Sequence, residues 1–525
     1  MPQFFDTSPD SPLAWDRCAL FGGGMVSFAK AVGLNEDQSA LLYDSQIHIT
    51  GQIRKRRGVA DIKTPPGPIV SGKAIQALKW FDTPTIDKLL SVVNGKIYSY
   101  DQSTRTWSMY IDAAITNTDE PVSICQLSDD LWWTDSTKTG IRTWDSATST
   151  VSTVASSPKA TILISASLRL VAAGMPDAPN TLWFSDILNG SSWPVVQAIG
   201  IGEDGDPIVA IKKWQKYFIM VGKLQSIYMV DANPGYGAPI MYPVYEIASS
   251  IGCLAKRTMC QVGQDMFFLS RNGVMKVTPQ EATDTNVLVP LPVSQPIQDI
   301  IFSIRWAFAY KSCAICYNNH YFLSVPINSN DPDTVLVYSN ITGSWAGIWR
   351  NHTITDFCEQ PYLGFTRLVC GYTDGKVKEG RDYVQEFAEL ANDYTDDGVP
   401  VESVIITRSM VFQDDMSPKT PFYLEAEFFS RTGDIEMYAY LDGDGPYPIS
   451  GGVFTLRSAI LLPFQLPVFL VAPRWVKKKF PIFPLGQFRE IQIEVRGTNG
   501  NLILRSLTLS AQRDTVNFNK QFEYR

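Results

Sequence analysis

The sequence contains few of the residues on which enzyme and metal chemistry depends. Only three histidines occur among 525 residues, at His48, His320 and His352, and no G-x-S-x-G motif is present that would hold a serine nucleophile. The eight cysteines are spread along the chain without the spacing of a disulfide framework or a zinc site. We therefore expect no catalytic residues, no cofactor and no metal ion, and we expect reduced thiols.

Charge is also scarce. Asp, Glu, Lys and Arg make up 19% of the residues and the formal net charge is −8, which is less charge than a typical globular protein carries. This composition indicates large buried areas, in a core or in an assembly, and it excludes a protein that wraps DNA tightly through a basic surface. The most apolar stretch, Ser458 to Pro473, is interrupted by two prolines and is too short to cross a bilayer as a helix. We expect no membrane span.

What the chain does contain is a repeated pattern of an apolar strand that ends in an aromatic residue, then Ser or Thr with Asp or Asn, and then a turn that closes on Trp. The pattern occurs at residues 98–107, 133–144, 184–193 and 338–345. A recurring unit of roughly 40 to 50 residues built from strands and tight turns is typical of a β-propeller. We predict an all-β fold with a propeller of six or seven blades. Its repeats are expected to begin near Ala74, Val122, Ala160, Ile208, Thr258, Ala307 and Thr353.

Composition divides the chain into four parts. Residues 1–66 are predicted to form an N-terminal arm with a short helix near Asn35 to Tyr43, and residues 67–385 the propeller. The acidic, turn-rich residues 386–400 are predicted to be a linker. Residues 401–525 are predicted to form a β-sandwich-like domain with a long proline-rich loop over residues 458–484.

One helix is predicted inside the propeller region. Ser294 is a candidate N-cap, Pro296 follows in the first turn, and Ile297, Ile300 and Ile301 have helical spacing. This helix is expected to be a surface excursion between blades.

Three short motifs have a simpler structural interpretation. Gly200 to Gly205 matches G-x-G-x-x-G, but a strand follows it where a dinucleotide site needs a helix. Cys313 and Cys316 lie in an alternating strand and are expected to be core thiols. Asp442 to Gly445 lacks the later glutamate of a calcium loop and is expected to be a hairpin turn.

Carboxylates are the candidates for an enzyme on this fold, because propeller glycosidases hold an acid and a base or nucleophile above the central channel. Such candidates are Asp129, Asp130, Asp135, Glu203, Asp204 and Asp206. Aspartate at the end of a strand is most often a turn former whose side chain bonds the backbone. The Asp-to-Trp repeat also resembles the Asp boxes of sialidases, although its spacing varies and most copies have no central glycine.

Two basic clusters are candidates for contact with DNA or with a partner protein: Arg54-Lys55-Arg56-Arg57 and Lys477-Lys478-Lys479. Lysine and arginine neutralise phosphates in such contacts. The same clusters are also typical of solvated strand edges that discourage unwanted strand pairing. Both interpretations stay open.

The order of these features resembles the β-propeller proteins of short-tailed bacteriophage tails, that is, the packaged-DNA stabilisation proteins and the related tail nozzle or tail tubular proteins. The resemblance spans about residues 30–385. It rests on Asn35 to Ala40 with the basic turn at Gly51 to Gly58, on Leu182 to Asp186 with Ser192-Trp193-Pro194, on Asp206 to Trp214 with Ile227-Tyr228, on Ser294 to Phe302, and on Tyr321 to Pro326 with Val335 to Trp349. The loop over residues 458–484 departs from it.

The resemblance implies a structural protein of the virion tail, made in the cytoplasm of the host bacterium. It implies a ring of copies, expected to be a hexamer, below a head-to-tail adaptor ring, with packaged double-stranded DNA passing through the lumen. Tail fibres or a tail needle are further expected neighbours. Such a nozzle would retain the DNA and let it pass at infection.

Two other functions remain open at this point: a glycan-active propeller enzyme and a receptor-binding module at the tail tip. An enzyme should show a cluster of carboxylates with shifted pKa values in an accessible pocket. A receptor-binding module should expose aromatic side chains at the outermost tip.

Overall fold

The chain is built almost entirely of β-strands in two compact units. The computed structural model describes residues 14–48, 50–113, 115–135, 139–233, 242–278, 290–362, 364–381, 391–412, 417–429, 432–449, 454–457, 475–482 and 485–513. The propeller unit comprises Val59–Asn340 and Trp349–Gln385, and the two-sheet unit comprises Met1–Gly58, Ile341–Ile348 and Glu386–Arg525.

The propeller unit has seven successive sets of antiparallel strands in its described residues, which we number blades 1 to 7. Blade 1 comprises Ile75–Asp82, Asp87–Val93, Lys96–Asp101 and Thr106–Ile111, blade 2 Ser123–Leu127, Asp130–Thr134, Arg142–Asp145 and Thr150–Thr153, and blade 3 Ile162–Ala166, Arg169–Ala173, Thr181–Phe184 and Ala198–Gly200. Blade 4 comprises Ile208–Trp214, Phe218–Lys223, Ile227–Asp231 and Val244–Ala248, and blade 5 Cys260–Val262, Asp265–Ser270, Gly273–Val277 and Pro290–Pro292. Blade 6 comprises Cys313–Tyr317, His320–Val325 and Thr334–Ser339, with Ser344–Arg350 next along the chain, and blade 7 begins with Ile354–Tyr362, Phe365–Tyr372 and Val377–Gly380.

The seven sets form a closed ring. From blade 1 to blade 4, and from blade 5 to blade 7, the first strands of neighbouring blades contact each other. The first strand of blade 7 also contacts the first strand of blade 1. Between blades 4 and 5 an apolar cluster fills the space, with Trp214 from one blade and Met266 and Phe268 from the other. The apolar core of this unit therefore lies between the blade faces, as in other radial β arrays, and the prediction of a propeller is confirmed.

Blade 7 is completed by a strand from the other end of the unit. Val59–Asp61 pairs antiparallel with Val377–Gly380, which adds the outermost strand of this blade. The ring of blades is thereby closed by pairing between the first strand of the unit in the sequence and its last strand.

The turns within blades use the residues that their backbone conformation requires. The two-residue turn of blade 1 has positive φ at both Asn94 and Gly95, 50° and 74°, as a type I′ hairpin turn needs. In blade 6, Asn318 and Asn319 have positive φ of 47° and 60°. Asparagine and glycine tolerate this conformation better than other residues, so the residues of these turns fit their backbone.

The two-sheet unit contains two larger sheets. The first has the order Ser45–Ile47, Ile53–Lys55, Ile503–Arg513, Lys419–Phe429 and Trp475–Pro481, with Ala14–Ala19 also paired to Ile503–Arg513. The second includes Ser344–Arg350, Gln38–Tyr43, Ser403–Thr407, Ile491–Gly500, Thr432–Leu441 and Asp444–Pro448, with Gly24–Met25 beside Gln38–Tyr43 and Phe454–Arg457 beside Thr432–Leu441. A short hairpin, Thr395–Asp396 with Val399–Pro400, completes the strands described in this unit.

Both larger sheets bury alternate residues. Along Lys419–Phe429 the buried side chains alternate with more exposed ones, and the same alternation occurs along Ile491–Gly500. Because successive side chains of a strand point to opposite faces, each sheet buries one face in an apolar core. Leu424, Ile493 and Leu509 are among the fully buried residues there.

One prediction about local structure is wrong. The chain near Asn35 to Tyr43 is not a helix: Gln38–Tyr43 is a strand that pairs with Ser403–Thr407, and this pairing with a distant segment overrides the local pattern.

The helix predicted after Ser294 is present as Gln295–Ile297 followed by the α-helix Gln298–Phe302, and Ser294 is at the N-cap position. Its hydroxyl does not cap the helix but accepts a hydrogen bond from the backbone N–H of Val274 at 3.0 Å. The other helical segments among the described residues are the short turns Ala31–Gly33, Val195–Gln197, Trp306–Lys311 and Ala391–Tyr394.

Most of the predicted loop over residues 458–484 lies outside the described residues. The part that is described forms the strand Trp475–Pro481. In the part of the chain that the structure describes, no helix has the length and apolar character needed to cross a membrane.

Candidate functional site

Half of the first basic cluster is buried in the two-sheet unit. The guanidinium of Arg56 donates to Asp44 at 2.7 Å and to both carboxylate oxygens of Asp396 at 2.9 and 2.5 Å. The ammonium of Lys55 donates to the carbonyl of Thr498 at 2.6 Å, and burial lowers the pKa of Lys55 to about 7. These two cations therefore point inward in this structure.

Arg54 and Arg57, the other members of that cluster, are partly exposed. Arg54 lies on the strand Ile53–Lys55, and Arg57 follows Arg56 in the segment that leads to the propeller. Their contact with DNA or a partner remains a proposal.

The second basic cluster lies on the outer edge of a sheet. Lys477, Lys478 and Lys479 are exposed on Trp475–Pro481, which pairs on one side with Lys419–Phe429. Lys477 forms an ion pair with Glu425, and Lys479 lies 3.7 Å from the same carboxylate. Edge strands often carry lysine, because its charge discourages pairing with another chain.

The candidate carboxylates take part in turns and internal ion pairs. Asp135 is buried beside Arg142, at 3.1 Å, and Asp206 accepts from the hydroxyl of Ser226 at 2.6 Å and from the N–H of Gln225 at 3.0 Å. Asp204 accepts from the side chain of Asn180 at 2.6 Å.

Asp130 accepts from the N–H of Ser146 at 3.1 Å, and burial raises its pKa. Asp129 lies in the adjacent turn, and Glu203 is exposed in the segment before blade 4. These contacts are those of turn formers, as aspartate at strand ends usually is. Among the described residues, no group of three or more His, Cys, Asp or Glu side chains is placed to hold a metal ion.

The cysteines lie mainly in the propeller core. Burial raises the pKa values of Cys125, Cys313 and Cys358 to about 12, so these thiols stay protonated at physiological pH. Cys316 is only partly buried, and burial raises its pKa to about 12 as well. None of the eight cysteines is in a disulfide.

A polar contact crosses the middle of the propeller. The ammonium of Lys256, just before blade 5, lies 3.4 Å from the carbonyl of Pro121, just before blade 2. Burial lowers the pKa of Lys256 to about 8. Blades 2 and 5 are not neighbours in the ring. The side chain of Lys256 therefore reaches across the centre of the propeller, at the end where the first strand of each blade begins.

The next residue extends this polar centre. One nitrogen of Arg257 lies 3.7 Å from the carboxylate of Asp356 in blade 7, and another donates to the carbonyl of Lys311 at 3.2 Å. The other oxygen of Asp356 accepts from the N–H of Leu78 in blade 1 at 2.7 Å. The axis of the propeller is thus occupied by protein at this end, which no motif in the sequence indicated.

Blade 3 exposes an unusual number of aliphatic side chains. Leu168 is 55% exposed in the turn between the first two strands, and Leu188 is 59% exposed in the loop after the third strand. The N–H of Leu188 donates to the carbonyl of Leu168 at 2.8 Å. Ile187, Val195 and Val196 are exposed in the same loop. We call these five side chains the blade 3 patch.

Asp186 fixes the loop that carries most of this patch. Its two carboxylate oxygens accept from the hydroxyl of Ser192 at 2.5 Å and from the side-chain amide of Gln197 at 2.7 Å. Trp193 is buried between these two partners, and its ring N–H donates to the carbonyl of Gly190 at 2.8 Å. The Asp-to-Trp pattern of the sequence therefore marks a surface loop that is held by hydrogen bonds of Asp186 here.

Comparison with known proteins agrees with this architecture. The family model described as Phage_stabilise, bacteriophage P22 Gp10, β-propeller, matches residues 87–282, which include the last three strands of blade 1, blades 2 to 4, and three strands of blade 5. A search of curated proteins found no match. The family match supports a structural protein of a bacteriophage rather than an enzyme. Over residues 87–282 the chain thus matches the family of the bacteriophage P22 Gp10 β-propeller, which confirms the resemblance predicted from its sequence.

Proposed function

We propose that the chain is a subunit of the distal tail channel, or nozzle, of a short-tailed bacteriophage. A ring of copies, which we propose to be a hexamer, would retain the packaged double-stranded DNA and let it pass at infection. The observation that carries the proposal is the family match over blades 2 to 4 and most of blades 1 and 5 of a closed propeller. In this role the protein is structural, and its binding energy lies in protein interfaces.

The proposed DNA path runs through the lumen of the ring of subunits, not along the axis of each propeller. Lys256 reaches across the propeller centre to the carbonyl of Pro121, so protein atoms lie on that axis. The chain carries a formal net charge of −8. A weakly acidic wall repels polyanionic DNA and would allow it to slide without adhering.

The proposed partners are the neighbouring copies in the ring, a head-to-tail adaptor ring above it, and tail fibres or a tail needle. Lys477, Lys478 and Lys479 are exposed on a strand edge and are the proposed contacts with DNA or one of these proteins. The triple change to glutamine should reduce DNA retention by assembled particles if the lysines hold DNA, while the triple change to arginine keeps the charge and should retain it. Equal retention in both variants would exclude this DNA contact.

Electron microscopy of the particle tests the proposed function directly. An antibody against the chain locates it, and the labelled region is then averaged. We expect a sixfold collar around the tail channel. Label on a peripheral appendage would instead support a receptor-binding module, and particles without label would overturn a virion role and make a glycan-cleavage assay with Asp129, Asp130 and Asp206 variants the next step.

A further inference from the structure

We infer that the polar centre of the propeller binds a small oxyanion of the phosphate type. The residues concerned, which we call the axial cluster, are Lys256, Arg257, Ser312 and Asp356. The inference concerns a binding site inside one copy of the chain, so it goes beyond the proposed function and does not depend on the ring.

The first argument is that Arg257 carries hydrogen-bond donors without an acceptor. One terminal nitrogen of its guanidinium donates to the carbonyl of Lys311 at 3.2 Å, but the other lies 3.7 Å from Asp356, which is too far for a hydrogen bond. That other nitrogen and Nε are buried and have no hydrogen-bond partner in the part of the chain that the structure describes. Such donors are rare in native proteins and indicate a bound ion or water.

Two neighbouring side chains add donors of other kinds. The hydroxyl of Ser312 is buried and has no hydrogen-bond partner among the described residues either. Ser312 adjoins Arg257, because the next residue, Cys313, forms a backbone bridge with Arg257. The ammonium of Lys256 has three N–H groups, and its contact with the carbonyl of Pro121 is long, at 3.4 Å. The axial cluster therefore offers a guanidinium, an ammonium and a hydroxyl.

The second argument is that two like charges lie close together here. Burial lowers the pKa of Lys256 to about 8, and the neighbouring charge of Arg257 also acts in this direction. Burial raises the pKa of Asp356, which makes this carboxylate a weaker partner for the two cations. Buried charges are costly unless they are paired. An anion that contacts both Lys256 and Arg257 would therefore stabilise the propeller.

The other charges around the axis do not remove this positive excess. Four cations and three carboxylates act on one another there or on a shared neighbour: Lys79, Lys212, Lys256, Arg257, Glu120, Asp356 and Glu359. Lys212 lowers the pKa of Asp356 against the larger effect of burial, and burial raises the pKa of Glu359 as well. Lys311 is already paired with Asp331 at 2.6 Å. The centre is thus positive in a chain whose formal net charge is −8.

The axial cluster is accessible, and its donors suit phosphate. The side chains of Arg257 and Asp356 are 16% and 17% exposed, and Lys256 is partly exposed, so an ion from solvent can reach them. Phosphate oxygens carry more than one negative charge and accept charge-assisted hydrogen bonds from guanidinium and ammonium groups at once. Chloride is a single acceptor with one charge and would leave most of these donors unpaired.

The test is isothermal titration calorimetry of the whole chain with inorganic phosphate at pH 7, after dialysis into a chloride buffer and at constant ionic strength. We expect one site per chain with a Kd of about 1 mM or lower, the affinity that a few charge-assisted hydrogen bonds supply. Arg257→Gln and Lys256→Met should each weaken binding by about 10-fold or more. The matched control is Lys159→Gln, since Lys159 is exposed in the segment before blade 3, and it should bind phosphate like the wild type.

Thermal unfolding separates a loss of binding from a loss of stability. Phosphate should raise the melting temperature of the wild type and of Lys159→Gln, whereas chloride at the same ionic strength should not. Arg257→Gln and Lys256→Met should lose this rise. If Arg257→Gln does not fold, Lys256→Met decides the location of the site by the same comparison.

Two results would overturn the inference. One is a wild-type chain that binds no phosphate or responds equally to phosphate and chloride. The other is an unchanged Kd and an unchanged rise in melting temperature in the folded axial variants, which would place the anion elsewhere. Neither result bears on the nozzle proposal, which labelling of the particle decides separately.

Discussion

Replacing Arg56 with methionine should unfold the two-sheet unit at a much lower denaturant concentration than in the wild type. The side chain of Arg56 is buried and bonds both Asp44 and Asp396. Methionine fills a similar volume but leaves two carboxylates without their shared cation. Removing one partner of a buried ion pair typically costs about 3–5 kcal/mol. That corresponds to a fall of about 1–2 M in the urea midpoint.

The measurement is a urea titration in which unfolding is monitored by hydrogen exchange. Exchange is measured on peptides from residues 391–412, which belong to the two-sheet unit, so that its unfolding is distinguished from that of the propeller. Arg489→Met is the matched control, since Arg489 is exposed in the same unit, and it should change the free energy of unfolding by less than about 0.5 kcal/mol. The triple variant with Asp44→Asn and Asp396→Asn should recover part of the loss, because it leaves no buried carboxylate unpaired.

The reasoning fails if Arg56→Met costs less than about 1 kcal/mol. That result would mean that the cation is not committed to the interior in solution. Arg56 would then be available for the contact with DNA or a partner that its basic cluster predicts.

Three further results are expected. Burial lowers the pKa of Lys55 from 10.5 to about 7, so between these pH values Lys55 carries its proton in the unfolded chain but loses it in the folded one. The free energy of unfolding of the two-sheet unit should therefore rise from pH 7 to pH 10. Lys55→Met should flatten this rise in urea titrations made at each pH. Gly190→Ala should destabilise the propeller by about 1–3 kcal/mol, because its new methyl group meets Trp132, whereas Gly200→Ala in the same blade meets nothing within 4 Å and should unfold like the wild type in a thermal scan. Asp135→Ala leaves the buried guanidinium of Arg142 without this carboxylate and should cost the propeller about 3 kcal/mol; a loss below about 1 kcal/mol in the same titration would show that solvent reaches the pair.

The propeller could be predicted because its turns are encoded locally. Asn94-Gly95 and the repeated Asp-to-Trp segments mark where strands end, and the predicted start at Ile208 coincides with the first residue of blade 4. The predicted starts near Val122 and Ala160 lie within a few residues of Ser123 and Ile162. The start near Ala307 is less accurate, since the short helix Trp306–Lys311 precedes the first strand of blade 6.

Contacts between distant residues could not be predicted in this way. The pairing of Gln38–Tyr43 with Ser403–Thr407 and the salt bridge from Arg56 to Asp396 join residues more than 300 positions apart. A run of basic residues looks the same in sequence whether it is solvated or buried beside carboxylates. The blade 3 patch did have a local signal, namely leucine in a two-residue turn within a nearly uncharged stretch.

The strand Val59–Asp61 sets a condition on the synthesis of this protein. Its partner, Val377–Gly380, is made about 320 residues later, which at a bacterial translation rate takes about 15–60 s. During that time the growing chain can stack blades one on another, but it cannot close the circle. A chain that terminates before residue 377 therefore cannot form this pairing and leaves the ring open, whereas a chain that terminates after residue 380 contains both strands that close it.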